Sequence, residues 1–423
     1  MLSGSLKLPE GMAAMGSMTR RTFGAAVGTL ALTGLPARAK ADAAKAKLKI
    51  GLLLPRSGLQ AQIGQSCQRG ADIAPDLIRQ RLGVDIEIMN ADTESNVDTA
   101  RSRAERLIGE GAHVLVGAFD SGHTAAIAQV AEQHGVPHIV NIAAAPQITE
   151  QGYKFVFRNF PTAPEIGRNG LVLLKDIFAE SKAAPKTAVF MHVNDTFGQS
   201  MAKGVGALLP TLSMPFKLVD TIAYDPAAKD LTVEVSKAKA TSADLLLLVC
   251  RLNDAIVLRR EMVKQRWNPM GVVSPGSPGL YEEQFAKVLG KYAQGCITNT
   301  VWFNPKNDIT QAFAAAFKKR YASDDLAYHG INATYTFDAI LIAADAFKRA
   351  KTSNPKALAE AIRLTNIPAT DRVSFGGPIK FNAKGQVEGN KSVVLQNAGG
   401  KPTVVLPKEY AEAKLVFPVL KLG

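Results

Sequence analysis

Residues 114–142 read VLVGAFDSGHTAAIAQVAEQHGVPHIVNI, and this stretch decides the fold. Val114-Leu115-Val116-Gly117 is a short continuous apolar run of the kind a buried strand needs. Ser121 then stands where it can cap a helix, Thr124 to His134, and Gly135-Val136-Pro137 turns the chain out of it. Ile139-Val140-Asn141-Ile142 follows as the next strand. Strand, helix and strand in this order make the unit of a parallel sheet, because a parallel neighbour requires a crossover of about that length.

The same rhythm extends in both directions. Upstream, Lys49 to Leu54 is an apolar strand that ends in the turn Pro55-Arg56-Ser57-Gly58. A helix over Gln65 to Leu82 follows, kinked or shifted in its start by Pro75. Asp85 to Asn90 is a strand, and Ala100, Ala104, Leu107 and Ile108 share one helical face before Gly111. Downstream of Pro161, helices are expected over Ile166–Ala179, Gly198–Leu209, Asp230–Ala240 and Asn253–Gln265. Strands alternate with them at Thr187–His192, Phe216–Ala223, Asp244–Cys250 and Met270–Ser274. This predicts an α/β protein with parallel, doubly wound sheets. About 380 residues exceed what one such sheet organises, so two lobes are expected. The Gly- and Pro-rich stretch from Gly376 to Pro407 reads as a few further strands.

Composition narrows the function. Of 423 residues, 47% are hydrophobic and 21% charged, which fits a globular protein and excludes a disordered or collagen-like chain. No stretch offers the roughly 20 apolar residues of a membrane-spanning helix. Cys67, Cys250 and Cys296 are too few and too scattered for a zinc framework. One disulfide with one free thiol, or three free thiols, remain open, and Cys250 at the end of a leucine run reads as a small buried apolar residue.

The N-terminus reads as an address. Arg20-Arg21 is a twin-arginine pair with Phe23 close behind, followed by an apolar stretch of 12 residues, Gly24 to Leu35. Ala37-Arg38-Ala39 and Ala39-Lys40-Ala41 are small-x-small cleavage patterns, so residues 1–41 are expected to be a signal peptide of the route that exports folded proteins. The expected destination is the periplasm. Cleavage after Ala41 removes Lys7, Arg20, Arg21, Arg38, Lys40 and Glu10, which lowers the net charge from +13 to +9. That excess is spread without basic runs, and no nucleic-acid module accompanies it, so no nucleic-acid partner is expected.

Enzyme signatures fail one by one. Ser121 in Asp120-Ser121-Gly122-His123 lacks the flanking glycines of a nucleophile elbow, since Phe119 and His123 occupy their places. No phosphate loop and no complete G-x-G-x-x-G occur. His134 and His138 are separated by the helix-breaking Gly135-Val136-Pro137, so they share no helical face for a metal. No cofactor and no metal are expected: the chain is built to bind.

Four segments then carry a resemblance: KIGLLLPRSGLQAQIGQSCQRGADIA (49–74), LVGAFDSGHTAAIAQVAEQHGVPHIVNIAAAPQITEQGYKFVFRNFP (115–161), VFMHVNDTFGQSMAKG (189–204) and LPKEYAEAKLVFP (406–418). In this order and spacing the chain resembles the periplasmic substrate-binding proteins of ABC importers, of the leucine/isoleucine/valine-binding group. The resemblance implies a type I periplasmic-binding-protein fold, two lobes joined by a three-strand hinge that close on a ligand. Lobe 1 would hold 48–159 and 302–388, and lobe 2 would hold 160–301 and 389–423. It implies a monomer that delivers a small molecule to membrane permease subunits. Ser121 falls where the family holds a ligand carboxylate, and Ile142, Ala143 and Ala144 fall in the segment where it uses backbone groups and a threonine hydroxyl. Phe197 matches the aromatic that covers the ligand from lobe 2, and Ile63 matches an aromatic of the lobe 1 rim. Asp120 stands at a cysteine of the family's lobe 1 disulfide, and Gly276 stands where amino-acid binders keep the acid that receives an ammonium.

A buried ammonium without an anion is costly, so an α-amino acid is disfavoured unless Asp120 or Asp195 substitutes. Arg251, at the carboxyl end of a lobe 2 strand, can pair with a carboxylate. The expected ligand is a small carboxylate lacking a free amine, aromatic acids included. A ligand-sensing lobe pair for a signalling partner and an exported α/β enzyme are the rival readings.

Overall fold

A computed structural model describes residues 47–419. The twin-arginine pair and both cleavage patterns lie outside them. The first sheet comprises β1 (Leu48–Leu54), β2 (Ile86–Asp92), β3 (Val114–Gly117), β4 (His138–Val140) and β5 (Val156–Arg158), with α1 (Ala61–Leu82), α2 (Val97–Gly109) and α3 (Ser121–His134) as crossovers. Its order is β2-β1-β3-β4-β5, parallel throughout, with Leu52 opposite Asn90 and Val116.

After α4 (Ala163–Ser181), β6 (Thr187–Val193), α5 (Thr196–Leu208), β7 (Lys217–Tyr224), α6 (Thr232–Ala240), β8 (Leu245–Val249), α7 (Leu252–Lys264), β9 (Gly271–Ser274), α8 (Glu283–Leu289) and β10 (Ile297–Val301) build a second sheet. Then α9 (Asp308–Arg320), α10 (Leu326–Ala350) and α11 (Pro355–Arg363) follow, and β11 (Ser392–Ala398) and β12 (Lys401–Leu406) return to the second sheet. That sheet runs β12-β11-β10-β9-β8-β6-β7, with the last two strands to arrive antiparallel to their neighbours. The architecture is two α/β lobes with parallel sheets.

The chain passes between the sheets three times, and the three passages run side by side. Arg158 N–H donates to the Gly385 carbonyl at 2.8 Å, and Phe375 N–H donates to Trp302 at 2.8 Å. Lys391 N–H donates to Phe375 at 3.0 Å. Arg158 is wholly buried there and donates to Gln386 Oε1, the Ala145 carbonyl and Thr149 Oγ1. A buried guanidinium survives only with its donors satisfied, which makes this residue a rigid pin at the first passage.

Several element boundaries differ from expectation for local reasons. Helix α1 starts at Ala61 and continues through Pro75. The missing N–H there is offset by burial of Ile63, Cys67, Ala71, Ala74 and Ile78 along one face. Helix α3 starts at Ser121, which is therefore not its cap; Asp120 caps it, accepting from Gly122 and His123 N–H at 2.8 and 3.2 Å. Strand β4 stops at Val140 because Asn141 Oδ1 takes the Ile142 N–H at 3.0 Å, removing it from the ladder. In α10 every residue from His329 to Ala344 is buried, and the helix packs on α1 at contact distance. Gly70 permits that approach: a Cβ there would lie 1.9 Å from the Ala333 carbonyl oxygen.

All three cysteines are free and buried, and burial pushes the Cys67 thiol up to about 12. Among the described residues no helix is long and apolar enough to cross a membrane.

Candidate functional site

The carboxyl ends of both sheets' strands meet around a small, partly enclosed cavity, the place where parallel sheets bind ligands. From the first sheet come Phe119 and Ser121 after β3, and Ile142 and Ala144 after β4. Asn141 ties these two loops together, since its Oδ1 accepts from both Phe119 and Ile142 N–H at 3.0 Å. Its Nδ2 donates to Thr336 on α10 at 2.9 Å. Ser121 Oγ accepts from Ala145 N–H at 3.3 Å, so its own proton remains to donate.

The second sheet supplies Phe197 in the first turn of α5, Arg251 after β8, and Gly276, Pro278 and Tyr281 after β9. Ser274 and Ser277 fix the β9 loop: Ser274 Oγ accepts from Gly276 and Ser277 N–H, and Ser277 Oγ accepts from Cys250 N–H. Gly276 has φ of +132°, and a Cβ on it would lie 1.9 Å from Ile166 Cγ2. Neither backbone nor space admits a side chain at this position. Phe160, Thr300, Ile331 and Asn332 complete the wall.

Among the described residues, Arg251 is the only charged side chain on that wall. Its Nε and Nη2 donate to Asp195 Oδ2 at 3.2 and 2.9 Å, and Nη2 donates to Asp120 Oδ2 at 3.1 Å. Asp195 caps α5 through Gly198 N–H at 2.7 Å, so each aspartate closes a helix and grips one guanidinium. The guanidinium carbon lies 4.8 Å from the Phe197 ring centre and 5.3 Å from that of Phe119, within cation–π range of both. Burial alone would raise the Asp120 carboxyl, but Arg251, His123 and Gln60 outweigh it and hold it below the usual carboxylate range. Burial opposes the Arg251 charge too, and Asp195 and Asp120 together raise its pKa. Nη1 donates to neither aspartate.

Of the residues singled out in the sequence, Ser121, Ile142, Ala144, Phe197, Arg251 and Gly276 line the cavity. Asp120 and Asp195 stand behind the wall and position Arg251. Ile63 and Ala143 do not line it. Ile63, in the first turn of α1, is packed in the core, and Ala143 faces Ala128, Val140 and Val156 while its carbonyl accepts from Arg158. Sequence reasoning missed Phe119, Phe160, Pro278, Tyr281, Thr300, Ile331 and Asn332. Asn332 carried no distinct signal, because His329, Thr334, Thr336 and Asp338 lie in the same run.

A serine–histidine–aspartate alignment lies elsewhere. Ser66 Oγ is 3.0 Å from His329 Nδ1, and Asp324 Oδ2 is 3.8 Å from His329 Nε2. The serine is buried, and Asp324 is held by Arg69 at 2.7 Å. Burial, with Arg69 adding to it, pushes His329 down to about 4. This network joins α1 to α10 and presents no nucleophile. Among the described residues no group of three or more metal-ligating side chains occurs.

Comparison with known proteins adds the following. Residues 47–401 match the family model described as periplasmic binding protein. The chain is 25% identical over 411 residues to Leu/Ile/Val-binding protein homolog 7 of Brucella suis biovar 1 (strain 1330), covering 92% of this chain and 98% of that one. A leucine binding protein of Thermotoga maritima MSB8 superposes with a TM-score of 0.72 at 22% identity, covering 84% of this chain and 97% of the other. A solute binding protein of an ABC transporter from R. palustris, solved in complex with benzoate, gives a TM-score of 0.71 at 22% identity, covering 88% and 100%. These likenesses share the two-lobed fold.

Proposed function

The chain belongs to the periplasmic binding protein family, and from that premise we propose that it captures a small carboxylate lacking a free amine and passes it unaltered to the permease subunits of an ABC importer. The family is one of substrate-binding proteins, not enzymes. The observation that carries the ligand class is the charge on the cavity wall: Arg251 alone, with Nη1 uncommitted to either aspartate. A ligand carboxylate placed there gains a charge-assisted hydrogen bond, with Ser121 as a second donor.

An ammonium has no comparable partner. Gly276 cannot carry an acid, and both aspartates are spent on Arg251 and on helix caps. The remaining wall is apolar and aromatic, with Phe119, Phe160, Phe197 and Tyr281 suited to a flat ring. Among structures of this fold, the Thermotoga protein is named for leucine and the R. palustris protein holds benzoate, so the fold itself serves both chemistries and the wall decides.

The lobes in this reading are 48–159 with 302–388, and 160–301 with 389–423, hinged at the three passages. The arginine pair and cleavage patterns of residues 1–41 support export to the periplasm by the twin-arginine route. A thermal-shift panel tests the ligand class. Benzoate-like and other amine-free carboxylates are expected to raise the melting temperature while leucine and valine leave it unchanged. Stabilisation by leucine or valine, and by no amine-free acid, defeats the reading.

A further inference from the structure

Helix α10 buries several polar residues, among them His329, Thr334, Thr336 and Asp338, and it places Asn332 on the cavity wall. Asn332 is 1% exposed, and neither its Nδ2 nor its Oδ1 has a hydrogen-bond partner among the described residues. Both halves of a carboxamide left unpaired in a protein interior oppose folding, and an apolar residue of similar size would remove that cost. The position is also fixed. Gly70 lets the Ala333 backbone press on α1, and Thr336, one turn further on, is held by Asn141. The backbone that carries Asn332 is therefore held in place against α1. Close by, Glu282 is buried with Oε1 unpaired. Burial pushes that carboxyl up to about 8, and the neighbouring Asn332 carboxamide draws it partly back.

We propose that Asn332 selects ligands bearing a hydroxyl in addition to the carboxylate, and is the specificity-determining residue for that second polar group. A carboxamide presents a donor and an acceptor side by side, and a hydroxyl is the small neutral group that answers both. Arg251 stands on a different element, so the two polar groups of the ligand are read separately, one by charge and one by hydrogen-bond pattern. A wall that hydrogen-bonds a hydroxyl discriminates against its absence far better than an apolar wall discriminates against size. The inference rests on the carboxylate reading above.

Titration calorimetry on matched pairs tests it: benzoate against 3- and 4-hydroxybenzoate, and phenylacetate against 4-hydroxyphenylacetate. In the unmodified protein at least one hydroxylated acid is expected to bind about tenfold or more tighter than its parent. Asn332→Leu is expected to bring the two members of the pair within about threefold of each other, and Asn332→Gln to restore part of the preference. Equal binding within every pair, or a preference unchanged in Asn332→Leu, overturns the assignment and leaves the carboxylate class standing. Binding of leucine with no binding of either member of any pair overturns both. Should Asn332→Leu not fold, the ratio in the unmodified protein decides alone.

Discussion

Arg251 holds two aspartates that come from different sheets, Asp120 after β3 and Asp195 after β6. Its side chain is 9% exposed and theirs 12% and 21%, so water screens these pairs poorly. Removing one partner of such a group leaves the other charges buried and alone, at about 3–5 kcal/mol. Arg251→Leu is accordingly expected to lower unfolding free energy by an amount of that order and to abolish carboxylate binding, read by denaturant titration and calorimetry. Arg251→Lys keeps the charge but not the fork, and is expected to recover more stability than affinity. At this scale the sequence was partly legible. Arg251 and Phe197 were visible as a cation and an aromatic at strand and helix ends. The engagement of Arg251 by both aspartates was not, because residues 56 and 131 positions apart in the chain become neighbours only through the fold. Gly276 is the sharper case. It reads in the sequence as an acid lost, whereas the structure shows a backbone at φ +132° pressed against Ile166, where no acid fits.

The site is assembled at the ends of elements. Asp120 and Asp195 cap α3 and α5, and Asn141 ends β4 while bracing the loop after β3. The strand–helix alternation was readable because parallel strands are buried on both faces and their crossovers are amphipathic. Helix α10 escaped for the opposite reason: buried from His329 to Ala344, it mixes polar and apolar residues there without a solvent-facing side to set a period. Glu282, which caps α8 by position, supplies a test at this scale. Its carboxyl is raised from 4.5 to about 8, so the folded state binds a proton that the unfolded state has released. Stability from this group is fully present below about pH 4.5 and is lost as pH rises through 8. Between pH 6.5 and 8 Asp254, which titrates near 6, changes little, while His138 and His329, near 4 when folded and 6.5 when unfolded, oppose the fall by about 0.4 kcal/mol each. Unfolding free energy is expected to fall by about 1 kcal/mol across that interval, and Glu282→Gln to remove or reverse that fall. An unchanged slope in the variant would show that the carboxyl is already ionised.

For the molecule as a whole, the three passages between sheets allow hinge motion, and the cavity wall draws residues from both sides. A ligand that touches both walls favours the closed arrangement by the contacts it makes only there. The Asp120–Arg251 pair and the Asn253 Nδ2 bond to the Leu59 carbonyl at 3.2 Å already cross between the sheets. Closure thus draws on protein–protein contacts as well as on the solute. The most direct measurement is small-angle scattering of the purified protein while it is titrated with an amine-free carboxylate that raises its melting temperature, followed by mass spectrometry of the solute recovered after denaturation. The expected result is a smaller radius of gyration that saturates with one equivalent and a solute returned at its original mass. A radius that does not change on binding, or a solute consumed by the protein, would contradict capture between two hinged lobes.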